Sequence, residues 1–380
     1  MQTDEHWMNR AIELAKRGEG NVEPNPMVGC VLVRDAQVIG EGWHQKFGGH
    51  HAEVNAIQNA TADVAGSTAY VTLEPCSHHG KTPPCCQSLI DAEVSKVVVA
   101  VADPDPRVAG QGIAALRLAG IEVVEGVLAP AASSVLAPYL KRTKTGNPWV
   151  IAKWAMAIDG KIATATADSK WISNETSRAT VHEIRGRVDA IMVGSGTALA
   201  DDPMLNARPA DTGRILRTAL RVVFDSSAKI SLDSKLAQTA NQYPTLIAVG
   251  PEAPAAKLDQ LRALGCDVFN SPSATHDDRL KDLLQELGSR GVTNLLVEGG
   301  GGLLGLLNDS GQIDEVHAFI GPKLIGGQGV SPIVGRGLER ISDAADYQLV
   351  SVDYIEGDVH CVWRKPALAQ APVVSSLSLK

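Results

Sequence analysis

Apolar residues recur along this chain in two rhythms, one of about 3.6 residues and one of two, and their alternation predicts the elements. Residues 7–17, WMNRAIELAKR, carry Trp7, Met8, Ile12 and Leu14 and stop before Gly18, which predicts an amphipathic helix. MVGCVLV (27–33) and QVIGEGW (37–43) predict two strands around a polar turn. A helix is expected over 51–60 with Val54 and Ile57 on one face, a strand over 68–73, and a helix over 85–94 entered through two prolines. KVVVAV (96–101) is a continuous apolar run suited to a strand buried on both faces, and a helix (112–120) and a strand (121–126) follow. The order αββαβαβαβ predicts one sheet sandwiched by helices. Residues 128–148, with prolines and a basic run, read as a connector with some helix, and the boundary is placed near Gly146.

The second part opens with WVIAKWAMAIDGKIAT (149–164), which predicts a strand, an Asp-Gly turn and a second short strand. A helix (175–187) and strands over 189–195, 220–225 and 243–250 come next, then a helix over 280–291 closed by glycine and a strand over 293–298. EVHAFIGPKLIGG (315–327) and VHCVWRK (359–365) predict late strands, so this is a second α/β domain. The domains expected are thus 1–145 and 146–366, with 367–380 a loose, small and polar tail.

Charge narrows the classes. The formal net charge is −8, and residues 1–145 carry 12 Lys+Arg against 16 Asp+Glu, so neither part is basic and a duplex-binding surface is disfavoured. Of six cysteines, three crowd one segment and three are scattered, which is no disulfide framework and suits a reducing compartment. No stretch approaches eighteen uncharged apolar residues and the start is no signal peptide, so a cytoplasmic protein with no membrane partner is expected. A homo-oligomer acting on a small molecule, without nucleic acid, is the expected assembly.

The densest chemistry is EPCSHHGKTPPCC (74–86) together with His51-Ala52-Glu53. H-x-E followed by Pro-Cys and a further Cys is the pattern of zinc deaminases, in which His and two Cys hold the metal and Glu moves protons. His51, Cys76 and Cys85 supply three ligands and leave a fourth position for water, whose pKa the metal lowers. Glu53 beside the metal can take the water's proton and pass protons to the ring nitrogen and the departing ammonia. The second cysteine arrives after eight residues where the short pattern has two. A closed structural zinc site, with Cys86, His78 or His79 as fourth ligand, is the alternative. Cys86 falls in register with Leu89 and Ile90 and is expected in the core.

Farther on, Gly300, Gly302 and Gly305 form G-x-G-x-x-G after a predicted strand and before an apolar helical run, which suits either phosphate binding at a helix start or helix packing.

With these residues in hand, the chain resembles the bifunctional riboflavin-biosynthesis deaminase/reductase family over about residues 5–366. The expanded PCSHHGKTPPC segment, PNPMVG (24–29), DPDPRVAGQG (103–112) and KWAMAIDGKIA (153–163) carry the resemblance. It implies an N-terminal cytidine-deaminase-like αβα sandwich and a C-terminal dihydrofolate-reductase-like α/β domain. One zinc per chain and NADPH are the implied cofactors. The implied chemistry is hydrolytic deamination of a phosphoribosylated diaminopyrimidinone, then reduction of its ribosyl chain to ribityl. The resemblance places Asn25, His44, Lys81, Thr82 and Asp103 in the deaminase pocket. It places Ala155, Trp171, Thr197, Asp201 and the loop Gly300, Gly301, Gly302 and Gly305 at the cofactor, and Ser169, Arg185, Leu205, Arg208 and Glu298 at the substrate. Lys153 is a candidate helper at that second site. Asp105 stands where the family often has asparagine and Ala157 where it often has serine. Arg185 and Arg208 suit phosphate, with a surface ion pair as the plainer role, and Trp171 has the plainer role of a core aromatic. A nucleic-acid-modifying deaminase with a fused binding domain is the alternative function, and the acidic charge counts against it.

Overall fold

The structure is a computed structural model that describes residues 2–77, 83–208 and 218–366. Its first part runs α1 (Asp4–Lys16), β1 (Gly29–Arg34), β2 (Gln37–Trp43), α2 (Ala52–Gln58), β3 (Thr68–Leu73), α3 (Cys85–Asp91), β4 (Lys96–Val101), α4 (Gln111–Leu118), β5 (Glu122–Glu125) and α5 (Ala129–Thr145). The strands form one sheet in the order β2-β1-β3-β4-β5, antiparallel from β2 to β3 and parallel from β3 to β5. Alternation along the strands separates two cores. Val31 and Val33 of β1 pack with Trp7, Met8 and Ile12 of α1 and Leu136 of α5, whereas Cys30 and Leu32 pack with Ala52 and Ala56 of α2 and Leu89 of α3. The result is an αβα sandwich.

Three expectations in this part need correction. Residues 129–145 are one continuous helix rather than a connector, even though Pro138 lies inside it. Proline removes an intrahelical donor, but burial of Ala132 and Leu136 against the sheet holds the helix. The buried side of α2 is Ala52, Glu53 and Ala56 rather than Val54 and Ile57. The cause lies in β2: a Cβ on Gly40 would stand 2.4 Å from the Ala56 carbonyl oxygen, and one on Gly42 would stand 2.3 Å from that of Ala52. Two glycines thus let α2 lie directly on β2, and small residues face the sheet. The first helix begins at Asp4, three residues before its first aromatic side chain, with Asp4 and Glu5 at the positive helix end.

The second part runs β6 (Trp149–Ala157), α6 (Glu175–Arg185), β7 (Ala190–Gly194), α7 (Ser195–Asp201), β8 (Leu220–Phe224), α8 (Lys235–Gln238), β9 (Thr245–Val249), α9 (Ala255–Ala263), β10 (Asp267–Asn270), α10 (His276–Ser289), β11 (Asn294–Val297), α11 (Gly301–Asp309), β12 (Glu315–Gly321), β13 (Gln348–Ile355) and β14 (Asp358–Arg364). The order is β10-β9-β8-β7-β11-β6-β12-β14-β13. It is parallel from β10 to β12, and β14 and β13 are antiparallel additions. Alternation again splits two cores: Ile191 and Val193 pack with α6, and Ala190 and Met192 pack with α10 and α11. Helix α10 is capped by Thr275 Oγ1, which accepts from the Asp278 N–H at 3.1 Å, and it buries Leu280, Leu283, Leu284 and Leu287.

Two strands differ from expectation. After the Asp-Gly turn, residues 161–164 make a single bridge, Ala163 to Val330, rather than a second strand against β6. The strand from 315 stops at Gly321, where a Cβ would lie 2.1 Å from the Ile172 carbonyl oxygen, so 322–327 leave the sheet. Helices α7, α8 and α9 and strands β10 and β13 were not foreseen.

Candidate active sites

The first site grows from the α2 contact. His51 is the extended residue before α2, and its ring makes no capping bond to the helix. Cys76 follows β3, and Cys85 is the first residue of α3. The ligand atoms of His51, Cys76 and Cys85 all lie within 4.8 Å of one another. His51 Nδ1 is 3.1 Å from Cys85 Sγ and 3.6 Å from Cys76 Sγ. A tetrahedral zinc with bonds of about 2.0 Å to nitrogen and about 2.3 Å to sulfur needs such spacing, roughly 3.5 Å, so these donors fit that ion. Cys85's thiol and N–H, with His51, pull the Cys76 thiol down to about 4. Glu53 is 3% exposed, and burial, then the Cys76 thiolate, pushes its carboxyl up. A carboxyl raised in this way can both accept and return a proton. Cys86 is 5% exposed and packs with Leu89 in the core.

A cleft of 540 Å³ opens beside these groups, and Asn25, His44 and Asp103 line it. His44 Nδ1–H donates to the His50 carbonyl at 3.0 Å, which leaves Nε2 to accept from Asn25 Nδ2 at 3.2 Å. Burial lowers the His44 pKa and so favours that neutral ring. Asp103 accepts from the Tyr139 hydroxyl at 2.9 and 3.1 Å and from the Asp105 N–H at 2.9 Å, while burial pushes its carboxyl up. Asp105 is held by the Arg107 guanidinium at 2.5 Å. Lys81 and Thr82, like His78 and His79, lie outside the described residues.

Sequence reasoning missed two parts of this site. Glu74 is buried, and its carboxylate accepts N–H bonds from Asp103, Gly110, Gly112 and Ile113 at 3.0–3.3 Å, which fixes the 103–113 loop over the cleft. Its place directly before Pro75-Cys76 was the available signal. Tyr139, Arg142 and Thr143 form a wall from α5, the segment read as a connector, and nothing local announced them.

The second site lies where β6, β7 and β11 run side by side. Arg185, at the end of α6, donates from Nε and Nη2 to Glu298, just past β11, at 2.5 and 2.6 Å. The pair is bidentate and buried, so the surface-ion-pair role is corrected to an internal one. Lys153 on β6 is held beside it: burial lowers its pKa, and Glu298 opposes that effect. Arg185 Nη1 also donates to the Asn206 carbonyl at 3.3 Å, and the Arg208 N–H donates to His182 Nδ1 at 3.2 Å, which ties the 204–208 loop to α6. Leu205 in that loop is buried with φ +46°. His182, three residues before Arg185 on the same helix face, was missed.

A separate groove of 520 Å³ is lined by Thr197, Gly300 and Gly302. Ser226, Lys229 and His276 also line it and were not foreseen. The glycine run divides between its two readings. A Cβ on Gly302 would meet nothing within 4 Å, whereas one on Gly305 would stand 1.0 Å from the Val334 carbonyl oxygen. Gly305 is therefore a packing glycine, not a groove residue. A Cβ on Gly301 would likewise meet Val334, 3.0 Å from its Cγ2. Trp171 is 60% exposed with the Arg178 guanidinium 4.5 Å over its ring, so it is no core aromatic. Ala155 is half-buried on β6 opposite Phe319, and Ser169 and Asp201 are exposed, outside the groove lining.

Comparison with known proteins fits this division. Residues 1–101 match the family described as the cytidine and deoxycytidylate deaminase zinc-binding region, and residues 148–361 match the RibD C-terminal domain. The riboflavin biosynthesis protein RibD of Actinobacillus pleuropneumoniae is 44% identical over 358 residues, 94% of each chain. That of Escherichia coli K12 is 37% identical over 365 residues, 94% of this chain and 98% of the relative. Among solved structures, Acinetobacter baumannii RibD (form 1) superposes with a TM-score of 0.84 at 36% identity, covering 95% of this chain and 98% of that one. The deaminase/reductase of Thermotoga maritima gives a TM-score of 0.80 at 34% identity over the same shares.

The fold and the two sites therefore define a zinc-deaminase domain fused to a reductase domain. The chain belongs to the RibD family, the bifunctional deaminase/reductases of riboflavin biosynthesis. Its second part matches a reductase domain, so the nucleic-acid-modifying alternative finds no support. Among the described residues, no helix is long and apolar enough to cross a membrane.

Proposed function

We propose that this enzyme deaminates the diaminohydroxyphosphoribosylaminopyrimidine named for the Thermotoga maritima relative and then reduces the resulting 5-amino-6-(5-phosphoribosylamino)uracil to the ribityl compound. Residues 1–145 serve the first step and 146–366 the second. The observation that carries the reading is the His51, Cys76 and Cys85 triad with buried Glu53 beside it at the floor of a substrate-sized cleft.

In the first step His51, Cys76 and Cys85 would hold one zinc, which when bound supplies Lewis-acid activation of water. Glu53 takes the proton from that water and returns protons to the ring nitrogen and the leaving ammonia. Asn25, His44 and Asp103, themselves held by the bonds described above, face the pyrimidine and its sugar, and the family resemblance adds Lys81 and Thr82. In the second step Thr197, Gly300 and Gly302 would hold NADPH in the groove they line, and that cofactor when bound would supply a hydride. Lys153 and Glu298, the latter oriented by Arg185, face the sugar, with Leu205, Arg208 and Ser169 nearby. No membrane or nucleic-acid partner enters this cytoplasmic scheme.

The test is Glu53→Gln in the full-length enzyme. It should retain about one zinc per chain, lose ammonia release by about 10²–10⁴-fold, and still oxidise NADPH when given the deaminated compound. Normal deamination by this variant would sink the site. Equal NADPH consumption with undeaminated substrate would sink the order of steps.

A further inference from the structure

We propose that Arg142 is an anion-recognising residue of the deaminase cleft and that it takes the phosphate of the phosphoribosyl substrate. This deepens the reading above and rests on the cleft holding a phosphoribosyl pyrimidine. Tyr139, Arg142 and Thr143 line the cleft from α5, at the three- and four-residue spacing that puts side chains on one helix face. Tyr139 is committed to Asp103. Arg142 is committed by one edge only: Nη2 donates to the Pro24 carbonyl at 3.1 Å, while Nε is buried without an acceptor. A buried donor left unpaired costs about 1–3 kcal/mol, and a small shift of the guanidinium toward an anion in the cleft would relieve that cost. Phosphate offers adjacent oxygens that match a guanidinium fork.

Among the described residues, the charges of the cleft point to the same residue. Glu74 is satisfied by backbone N–H groups, Asp103 by Tyr139 and a backbone N–H, and Arg107 is neutralised by Asp105. Among the described residues Arg142 forms no ion pair with a carboxylate. A phosphate dianion entering beside Glu53 and Asp103 needs a cation, and Arg142 is a cleft cation with charge to spare. Its direction is fixed from outside: the preceding Lys141 is locked onto buried Asp314, which also accepts the Val150 N–H at 2.7 Å, so α5 cannot turn freely about its axis.

The experiment compares the phosphoribosyl substrate with its dephosphorylated ribosyl counterpart, using zinc-loaded full-length enzyme. Arg142→Met should raise KM for the phosphorylated compound about 10- to 100-fold, the range of a charge-assisted contact. kcat should change little, and kinetics on the ribosyl compound should stay as in the unaltered enzyme. Arg142→Lys should recover part of the loss, since it keeps the charge and loses the fork. Inorganic phosphate should compete with substrate in the unaltered enzyme and compete more weakly in Arg142→Met. Zinc content and thermal melting confirm that the variants are folded. An equal loss on both substrates would mean that Arg142 merely supports the Pro24 loop, and it would overturn the proposal, as would no change on either. If the unaltered enzyme deaminates neither compound, the substrate reading fails instead, and calorimetry of inorganic phosphate with the two proteins still decides whether Arg142 holds an anion.

Discussion

The two catalytic regions of this molecule are built by opposite means. The proposed deaminase site is assembled from short segments that each carry their own chemistry: His51 and Glu53 stand two residues apart, and Cys76 and Cys85 lie nine positions apart in one segment. The proposed reductase site is assembled by strand order. Strand β11 is inserted between β7 and β6, and only that insertion brings Glu298 to Arg185 across 113 positions and to Lys153. A metal centre demands particular residue types at close spacing, so it leaves a mark on the sequence. A hydride-transfer site demands placement of a cofactor against a carbon, which many residue types can achieve.

The largest effect that would break this comparison is loss of the metal. Cys76→Ala should abolish zinc retention and ammonia release together, because the remaining donors, His51 and Cys85, are too few to hold the ion. Reduction of the deaminated compound should continue, as measured by NADPH absorbance. Loss of both activities would show that the regions are not separately built.

Next is the buried pair of the second region. Arg185→Met leaves Glu298 charged and unpaired in the interior, which typically costs about 3–5 kcal/mol. Urea unfolding followed by fluorescence should show a clear fall in midpoint, and reductase activity should fall with it. Glu298→Gln should be milder on stability, since an amide oxygen still accepts from the guanidinium. If both variants unfold at the original midpoint, the pair does not organise the site.

What was legible follows the same division. The order of strands and helices through residue 126 could be read because β1, β3 and β4 are apolar runs that alternate between two cores. Helix α5 could not, because Pro138 signals a break inside it, whereas the contacts that overrule it come from α1 and the sheet. The groove residues Ser226, Lys229 and His276 carry no pattern of their own and meet only after β8 and α10 are placed. Gly305 satisfied a phosphate-loop pattern, yet it is needed for backbone packing against Val334, since a glycine pattern states that a Cβ is excluded and not by what.

A smaller effect tests how tightly the deaminase half depends on close packing. Gly42→Ala places a methyl group 2.3 Å from both the Ala52 oxygen and the Ala56 nitrogen. Overpacking of this kind costs about 1–3 kcal/mol, and here it must push α2, with Glu53 and His51 at its start, away from β2. Deaminase kcat should fall more than reductase kcat in the same preparation. An equal change in both would mean that the strain spreads beyond the first sheet.

The smallest effect is a pH dependence confined to the second sheet. His317 Nδ1 is 3.0 Å from His360 Nε2, and its Nε2 is 2.6 Å from Glu315, which also accepts from Arg364 at 2.7 Å and from the Trp149 indole at 3.1 Å. Burial, reinforced by His317, lowers the His360 pKa to about 4 from an ordinary 6.5. The unfolded chain therefore binds a proton through a window in which the folded one does not, and stability must fall as pH drops from 6.5 toward 4. Glu315 extends the loss: despite its burial, His317 and Arg364 hold its carboxyl down to about 2, so its contribution is present above 4.5 and fades below. His360→Phe keeps a ring where His360 now stacks on Phe319, 4.1 Å between centroids, and it removes the first of these titrations. The difference in urea midpoint between pH 7 and pH 5 should shrink in this variant. An unchanged difference would place the acid sensitivity elsewhere, and the first sheet, where burial likewise lowers the His44 pKa, would be the place to look.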